Sequence, residues 1–291
     1  LTGSLMVQAL YNVIDSLFLS HLGENVLAAI SLAATVQNFM SSMAAGLGVG
    51  TNALVTSYLG KRDRKKASAA ALCGIWIEFV CMLFFFFAGL FLVKQYFLFQ
   101  TDHPEIVGYG TAYLRICMAG SLGMFGEIIF ERLLQSAGKT VCTMITQGTG
   151  AVVNILLDAA LIFGVPGILP AMGIRGAAAA TVCGQWIAMG LALWLNVREN
   201  RELSFRLKGF RPDPDMTAAI LRVGIPSAVA GSVGSFMFFL LNRLIASFST
   251  TALAVFGIYN RLQHFILTPM IGITNSVVSV AAYNYGARKK K

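Results

Sequence analysis

Long apolar stretches are the feature that most limits how this chain can fold. Eight windows have the length and composition of a membrane span; they lie near residues 2–20, 26–57, 67–98, 107–134, 140–163, 177–196, 217–248 and 252–285. A bilayer core needs roughly 20 apolar residues per helix. Only 12% of the residues are charged and the mean hydropathy is +0.71, whereas soluble domains carry about 25% charged residues. We therefore predict an all-α, polytopic membrane protein with eight transmembrane helices.

Lysine and arginine residues are concentrated in alternate connections between these spans. They follow spans two, four, six and eight, whereas the other connections contain a single arginine, Arg175. Cytoplasmic loops are enriched in Lys and Arg, so the pattern places these basic connections and the amino terminus in the cytoplasm. It also explains the net charge of +9 without nucleic acid as a partner. We predict a multi-pass protein of the plasma (inner) membrane.

The second and eighth spans are similar in sequence. Residues 25–39 align without gaps on residues 251–265, an offset of 226 positions, and at the same offset Gly60 matches Gly286. Six predicted helices separate the two copies, so both enter the membrane in the same direction. This indicates a parallel repeat, one of the two repeat arrangements of secondary transporters.

The repeat predicts how the chain is divided. We expect a first six-helix lobe at residues 1–197, a cytoplasmic linker at 198–215, and the first two helices of a second lobe at 216–291. A complete second lobe would bring the total to twelve helices. We therefore expect the sequence to be truncated at its carboxyl end by four helices.

Two aspartates inside predicted spans are the main candidates for function, because an unneutralised carboxylate at the bilayer centre costs at least about 2.5 to 3.5 kcal/mol. Asp15 and Asp158 lie five and six residues before the outer ends of spans one and five. Asn154 is one turn before Asp158 on the same helix face, and Thr181 reaches the same depth in span six. Such a group can coordinate Na⁺ or exchange a proton. The alternative is that each acid only hydrogen-bonds a neighbouring helix.

Further polar residues form subsidiary groups. The accessory candidates for the cation site are Asn12, Tyr11 and Glu127. The candidates for a substrate cavity between the lobes are Gln37, Gln263 and Arg261, of which the two glutamines are equivalent in the repeat. Interhelical hydrogen bonds, worth roughly 0.6 to 2 kcal/mol each, are the alternative explanation. We expect Glu131 and Arg132 to be interfacial charges, and Glu78 has no evident partner.

Cofactor chemistry has little support in the sequence. No histidine has ligand spacing with another histidine or cysteine, and the five cysteines are scattered without a CxxC pair. We predict no cofactor and no metal beyond a coupling ion, Na⁺ or H⁺.

Several motifs in order along the chain resemble the multidrug and toxic compound extrusion (MATE) family. They are YNVIDSLFLSHLGENVLAAISL, GLGVGTNALVTSYLGKRDRKKA, RLLQSAGKT with VVNILLDAALIFG, and GIRGAAAATVCGQ. The resemblance implies twelve helices in two lobes around a V-shaped cavity, and antiport of organic cations or drugs against Na⁺ or H⁺.

The resemblance also implies where the cation binds. In the branch with DNA-damage-inducible-type and archaeal members, the site lies in the first lobe, at positions that match Asp15, Asn154, Asp158 and Thr181. Another branch has an essential Glu in helix seven, but residues 217–248 contain no acid. The resemblance therefore favours the first-lobe branch.

We predict a cation-coupled antiporter, not an enzyme, that exports organic cations, drugs or toxic metabolites by alternating access. Its partners would be these small molecules and the bilayer, and we expect a monomer at full length. A flippase for lipid-linked precursors is the alternative; it needs basic residues for a pyrophosphate, for which Arg243 and Arg261 are the candidates. An intramembrane enzyme lacks a recognisable catalytic set, and a channel leaves the paired acids unexplained.

Overall fold

The computed structural model describes residues 23–164, 170–205 and 210–248, and near the carboxyl end 270, 273–274, 277–278 and 280–287. All regular secondary structure in these residues is helical. The helices, in chain order, are α1 (Glu24–Gly60), α2 (Arg64–Phe91), α3 (Val93–Gln100), α4 (Pro104–Ala119), α5 (Leu122–Ser136), α6 (Thr140–Phe163), α7 (Ile174–Glu199) and α8 (Pro214–Phe248). Residues 280–286 are also helical.

Several helices have the length and composition of membrane spans. Within the described residues α1, α2, α6, α7 and the segment Pro214–Gly234 of α8 meet this description, and α4 and α5 meet it as a pair bent by 46°. The prediction of an all-helical membrane protein is therefore confirmed. The first predicted span and most of the eighth lie outside the described residues, so the count of eight spans stays a prediction.

Local sequence signals determine where these helices begin and bend. The Asp63 carboxylate accepts a hydrogen bond from the Lys66 amide at 3.0 Å and so caps α2. Pro104 occupies the first turn of α4. Backbone N–H groups of the first turn have no acceptor within the helix, so the N–H that proline lacks costs no hydrogen bond there. The bend between α4 and α5 falls at the pair Gly120–Ser121, a common cause of sharp kinks. The Trp186 indole N–H donates to the Gly120 carbonyl at 3.2 Å.

One end of the helix bundle carries most of the positive charge. There α1, α5 and α7 end and α2, α6 and α8 begin, and the end bears Lys61, Arg64, Lys139 and Arg198; we call it the basic end. The described part of the connection between α7 and α8 is packed onto this end. Asn200 Nδ2 donates to the Leu133 carbonyl at 3.3 Å, and Leu203 is buried against α1, α2 and α5.

Helix α1 packs along α8 through small residues. A Cβ on Gly46 would collide with the backbone of Ala228, and one on Gly50 would collide with the carbonyl of Ile220. Small residues allow helix backbones to approach closely inside a membrane. The two helices are therefore held backbone to backbone from the middle of α1 towards the basic end.

The end of α1 makes a reciprocal contact with the last described helix. A Cβ on Gly60 would collide with the carbonyl of Tyr283, and a Cβ on Gly286 would collide with the carbonyl of Ser57. Tyr283 follows Ser57 by 226 positions and Gly286 follows Gly60 by the same 226. Each contact is thus the repeat equivalent of the other, as at a two-fold interface.

Helix α5 lies at the centre of the described bundle. It packs against α1, α2, α6 and α7. Phe125 of α5 stacks near Phe85 of α2, with ring centroids 5.7 Å apart, and Leu133 is fully buried in the cluster at the basic end. A polar residue on α5 can therefore meet partners on four neighbouring helices.

Candidate functional site

One face of α6 is polar over most of its length. Its buried residues are Thr143, Thr146, Gly150, Asn154, Asp158 and Ile162. They follow one another at intervals of three or four, so they share a face. Apolar residues such as Val152 and Leu156 occupy the exposed face. Because polar groups in a membrane interior are costly, they face the bundle and mark functional sites.

The half of this face farther from the basic end holds two of the predicted site residues, and a third faces it from α7. Asn154 and Asp158 have relative exposures of 3% and 0%. Asn154 Nδ2 donates to Thr181 Oγ1 of α7 at 3.4 Å, and the Thr181 hydroxyl donates to the Ala177 carbonyl at 3.0 Å. The structure therefore places Thr181 beside Asn154, with Asp158 one turn further along the same face of α6; we call these three residues the α6–α7 group.

Close approach of α6 and α7 creates this group. A Cβ on Gly184 would lie 3.0 Å from the Gly150 carbonyl oxygen and 3.1 Å from Asn154 Cβ. A side chain on Gly184 would force these neighbours to shift, so the glycine keeps α6 and α7 close together and Thr181 within reach of Asn154. The remaining predicted members, Asp15, Asn12 and Tyr11, lie outside the described residues.

The α6–α7 group has the donor set that a small hard cation requires. It contains a carboxylate, an amide oxygen and a hydroxyl, the oxygen ligands that hard cations prefer. Asn154 Oδ1 is buried and has no hydrogen-bond partner among the described residues. A buried amide oxygen without a donor is available to a cation or to a protonated carboxyl. The residues present therefore fit Na⁺ or H⁺.

A second polar group lies nearer the basic end, where α5 meets α6. Thr146 Oγ1 donates to Glu131 Oε1 at 2.6 Å, and Gln147 Nε2 donates to Glu131 Oε2 at 2.7 Å. Glu131 has a relative exposure of 5%. The prediction that Glu131 is an interfacial charge was therefore wrong, because its position on α5 faces α6.

Two more charged residues accompany Glu131. Glu78 of α2 has a relative exposure of 2%, and neither of its carboxylate oxygens has a hydrogen-bond partner within the described residues. Arg132 donates to Gln135 Oε1 at 3.1 Å and lies close enough to Glu78 and Glu131 to interact with both charges. Its side chain packs over Gly48 of α1, so Arg132 contacts the bundle beside Glu131.

The accessory candidate Glu127 lies between the two groups. It is one turn before Glu131 on α5, and a Cβ on Gly150 would lie 3.9 Å from its Oε1. Gly150 is in turn one turn before Asn154 on the polar face of α6. We refer to Glu78, Glu127, Glu131 and Arg132 together as the acidic cluster.

The predicted substrate-cavity residues are only partly described. Gln37 is half-buried on α1, whereas Gln263 and Arg261, and the side chain of Arg243, lie outside the described residues. A cavity of about 750 Å³ opens near the basic end, between α1, α8 and residues 280–287. It contains Asp215 and Arg222 but not Gln37.

A family comparison agrees with this architecture. The sequence model of the MatE family matches residues 1–160 and 226–291, which include α1 to α5 and most of α6 and α8. The chain belongs to the MatE family. Relatives of this MatE chain carry names of transporters rather than of enzymes.

Two curated relatives and one solved structure show how far the similarity extends. The chain is 24% identical over 290 residues to the multidrug export protein MepA of Staphylococcus saprophyticus, covering 99% of the chain and 63% of MepA. It is 26% identical to the FAD transporter of Shewanella oneidensis, covering 95% of the chain and 61% of that protein. A structure of a MATE family multidrug resistance transporter of the MOP superfamily, in its outward-facing conformation, superimposes with a TM-score of 0.89 and 27% identity, covering 99% of this chain and 63% of that one. The MatE chain thus spans less than two thirds of the proteins it matches.

Sequence reasoning missed the acidic cluster as a unit. Two signals were available. Glu127 and Glu131 are separated by one turn of α5, and the polar residues of α6 recur at helical intervals. The contribution of Glu78 from α2 depends on helix packing and has no signal in a single sequence.

Proposed function

We propose that the protein containing this MatE chain is a cation-coupled antiporter that exports small organic compounds by alternating access. Asp158, Asn154 and Thr181 of the α6–α7 group, joined by Asp15, would bind the coupling ion, Na⁺ or H⁺. The observation that carries the proposal is the buried polar level on α6 and α7, where Asn154 Oδ1 has no described hydrogen-bond donor. A cation or a proton held between this amide oxygen and the Asp158 carboxylate would neutralise a charge that is costly inside a membrane.

The proposed architecture has two lobes related by an axis normal to the membrane. The reciprocal contacts of Gly60 with Tyr283 and of Gly286 with Ser57 support it, because a two-fold axis between the copies generates such pairs. The first lobe would comprise residues 1–197 and the start of the second 216–291. The basic end would face the cytoplasm, as cytoplasmic loops favour Lys and Arg.

The proposed mechanism uses the cost of burying charge. Binding of a cation from outside neutralises Asp158 and Asp15, and the occupied first lobe then favours a different arrangement from the empty one. A ligand shifts a conformational equilibrium only by its difference in affinity for the two states. A buried carboxylate can supply a large difference in cation affinity between the two states, because the bound cation compensates its charge. That shift would open the cavity outward and release the exported compound.

The decisive substitution is Asp158→Asn. It keeps the size of the side chain but removes the charge, so we expect ion-driven efflux from inverted vesicles to fall by at least about tenfold, as for a group that acts only in the coupled step. Asp102→Asn is the matched control, because Asp102 is exposed in the connection before α4. Efflux at the wild-type rate in Asp158→Asn, with equal protein in the membrane, would contradict the proposed function.

A further inference from the structure

The acidic cluster contains more negative than positive charge in a buried setting. Glu127, Glu131 and Arg132 come from α5 and Glu78 comes from α2. The other helices packed on α5 are α1, α6 and α7. Between their terminal turns, the only charged residue on these three helices is Asp158. Three carboxylates and one guanidinium, all ionised, would leave two uncompensated negative charges.

A net charge of this size is not stable at such a place. An ionised carboxylate taken from water into a medium of low polarity costs several kcal/mol even after relaxation. The usual remedy is to neutralise the group rather than to keep it charged. The nearby Cys81 is titratable too, but a thiol contributes no compensating positive charge.

We propose that the acidic cluster is a proton-binding site, separate from the α6–α7 group, in which Glu78 carries a proton and Glu127 and Glu131 share another. With two protons bound, the cluster has one negative and one positive charge and is neutral. The role of this site in transport rests on the proposed function, whereas its protonation does not.

The hydrogen bonds indicate which carboxylate holds which proton. Gln147 donates to Glu131 Oε2 at 2.7 Å, and Thr146 Oγ1 lies 2.6 Å from Glu131 Oε1 and 2.9 Å from the Thr143 carbonyl oxygen. The hydroxyl has a single proton. When Glu131 is ionised, Thr146 donates to it, and when Glu131 is protonated, Glu131 donates to Thr146 and Thr146 donates to Thr143. Glu78 has no donor on either oxygen among the residues that the structure describes, and it is almost fully buried. An ionised carboxylate needs donors in such surroundings, so Glu78 is the neutral member. The shared proton lies with Glu127 and Glu131, because two like charges one turn apart disfavour double ionisation.

Protons fit this site better than a metal ion. Both oxygens of Glu131 already have hydrogen-bond partners on α6, and the Arg132 guanidinium opposes a second cation beside Glu78. No group of three or more His, Cys, Asp or Glu residues arranged to hold a metal ion occurs within the described ranges. The bound species is therefore H⁺.

The polar face of α6 connects this proton site to the α6–α7 group. Thr146, beside Glu131, and Asp158 are separated by twelve positions, about 18 Å along a helix. Gly150 and Asn154 lie between them on the same face, with Glu127 approaching Gly150. In an antiporter of the proposed kind, the acidic cluster is an intermediate binding site for a proton that moves from the α6–α7 group to the basic end.

Infrared spectroscopy of the full-length protein in lipid tests the protonation directly. Protonated carboxyl groups have a stretching band apart from that of carboxylates, and we expect Glu78→Gln to remove one such band at neutral pH. Glu202→Gln is the control, because Glu202 is exposed at the basic end and pairs with Arg64 at 3.4 Å. A Glu78→Gln spectrum identical to the wild type in this band would overturn the proposal, whatever the protein transports.

A pair of transport measurements tests whether the acidic cluster acts as this intermediate proton site. Net efflux driven by a pH gradient requires proton release at the basic end, whereas exchange of labelled for unlabelled substrate does not. We expect Glu131→Gln to lower net efflux by about tenfold and exchange by less than about twofold. Equal loss of both rates, or no loss of net efflux, would overturn the role. If Asp158→Asn transports normally while Glu78→Gln loses its band, the proposed function fails and the proton site stands.

Discussion

Gly184 holds α7 against α6 beside the candidate coupling site, and a single added methyl group there tests the geometry of that site. A Cβ on Gly184 would lie 3.0 Å from the Gly150 carbonyl oxygen and 3.1 Å from Asn154 Cβ. Non-bonded carbon atoms prefer separations of about 3.5 to 4.0 Å. Gly184→Ala therefore requires α6 and α7 to separate by about 0.5 Å at this level.

That separation acts on a hydrogen bond that is already long. Asn154 Nδ2 and Thr181 Oγ1 are 3.4 Å apart, and a further 0.5 Å or so takes them beyond the range of an N–H···O hydrogen bond. Interhelical hydrogen bonds in membranes are worth about 0.6 to 1.7 kcal/mol. Since about 1.4 kcal/mol is a factor of ten, affinity for the coupling ion should fall about threefold to twentyfold.

The assay is the ion concentration that gives half-maximal efflux in proteoliposomes of the whole protein. Two controls match the substitution, Gly190→Ala on α7 and Gly148→Ala on α6, because a Cβ at either position would meet nothing within 4 Å. Both should keep the wild-type ion affinity. If Gly184→Ala gives the same affinity as these controls, then the spacing of α6 and α7 does not position the ion site.

Two further substitutions test other contacts. Thr146→Val removes the hydroxyl that lies 2.6 Å from Glu131 and should lower the free energy of unfolding by about 1 to 3 kcal/mol. Thr146→Ser keeps the hydroxyl and should retain most of this free energy. Equal thermal stability of the two variants would show that the hydroxyl contributes nothing. Gly60→Ala places a methyl group into the Tyr283 carbonyl, so the helices should separate at the basic end and a cysteine introduced at Ser57 should react faster with a water-soluble thiol reagent. An unchanged reaction rate would mean that this contact does not close the basic end.

Hydropathy predicted where the helices lie but not where they stop. The window 140–163 coincides with α6, Thr140–Phe163, because that segment is apolar up to its ends. The window 107–134 contains the bend at Gly120–Ser121, and the window 67–98 contains the junction of α2 and α3 at Leu92. The positions of such breaks depend on helix caps and on how closely other helices pack. A hydropathy average over a window does not detect either.

Depth along the membrane normal was the useful quantity for the site. It predicted that Asn154, Asp158 and Thr181 lie at one level, and the structure brings Asn154 and Thr181 into contact; their role in cation binding stays a prediction. Depth alone misplaced Glu131, because a residue near a helix end can still face the interior. Reading α6 by helix face would have revealed its polar side, whereas Glu78 is linked to Arg132 only through the packing of α2 on α5.

The two opposite faces of α6, one polar and one apolar, restrict how the first lobe of the proposed antiporter can move. Its interior side carries Asn154 and Asp158 and its exterior side carries Val152 and Leu156. Turning this helix about its own axis would exchange these sides and bring a carboxylate into lipid, at a cost of several kcal/mol. In an antiporter of the proposed kind, the conformational change therefore leaves the rotation of α6 about its own axis unchanged, and the neighbouring helices supply the displacement.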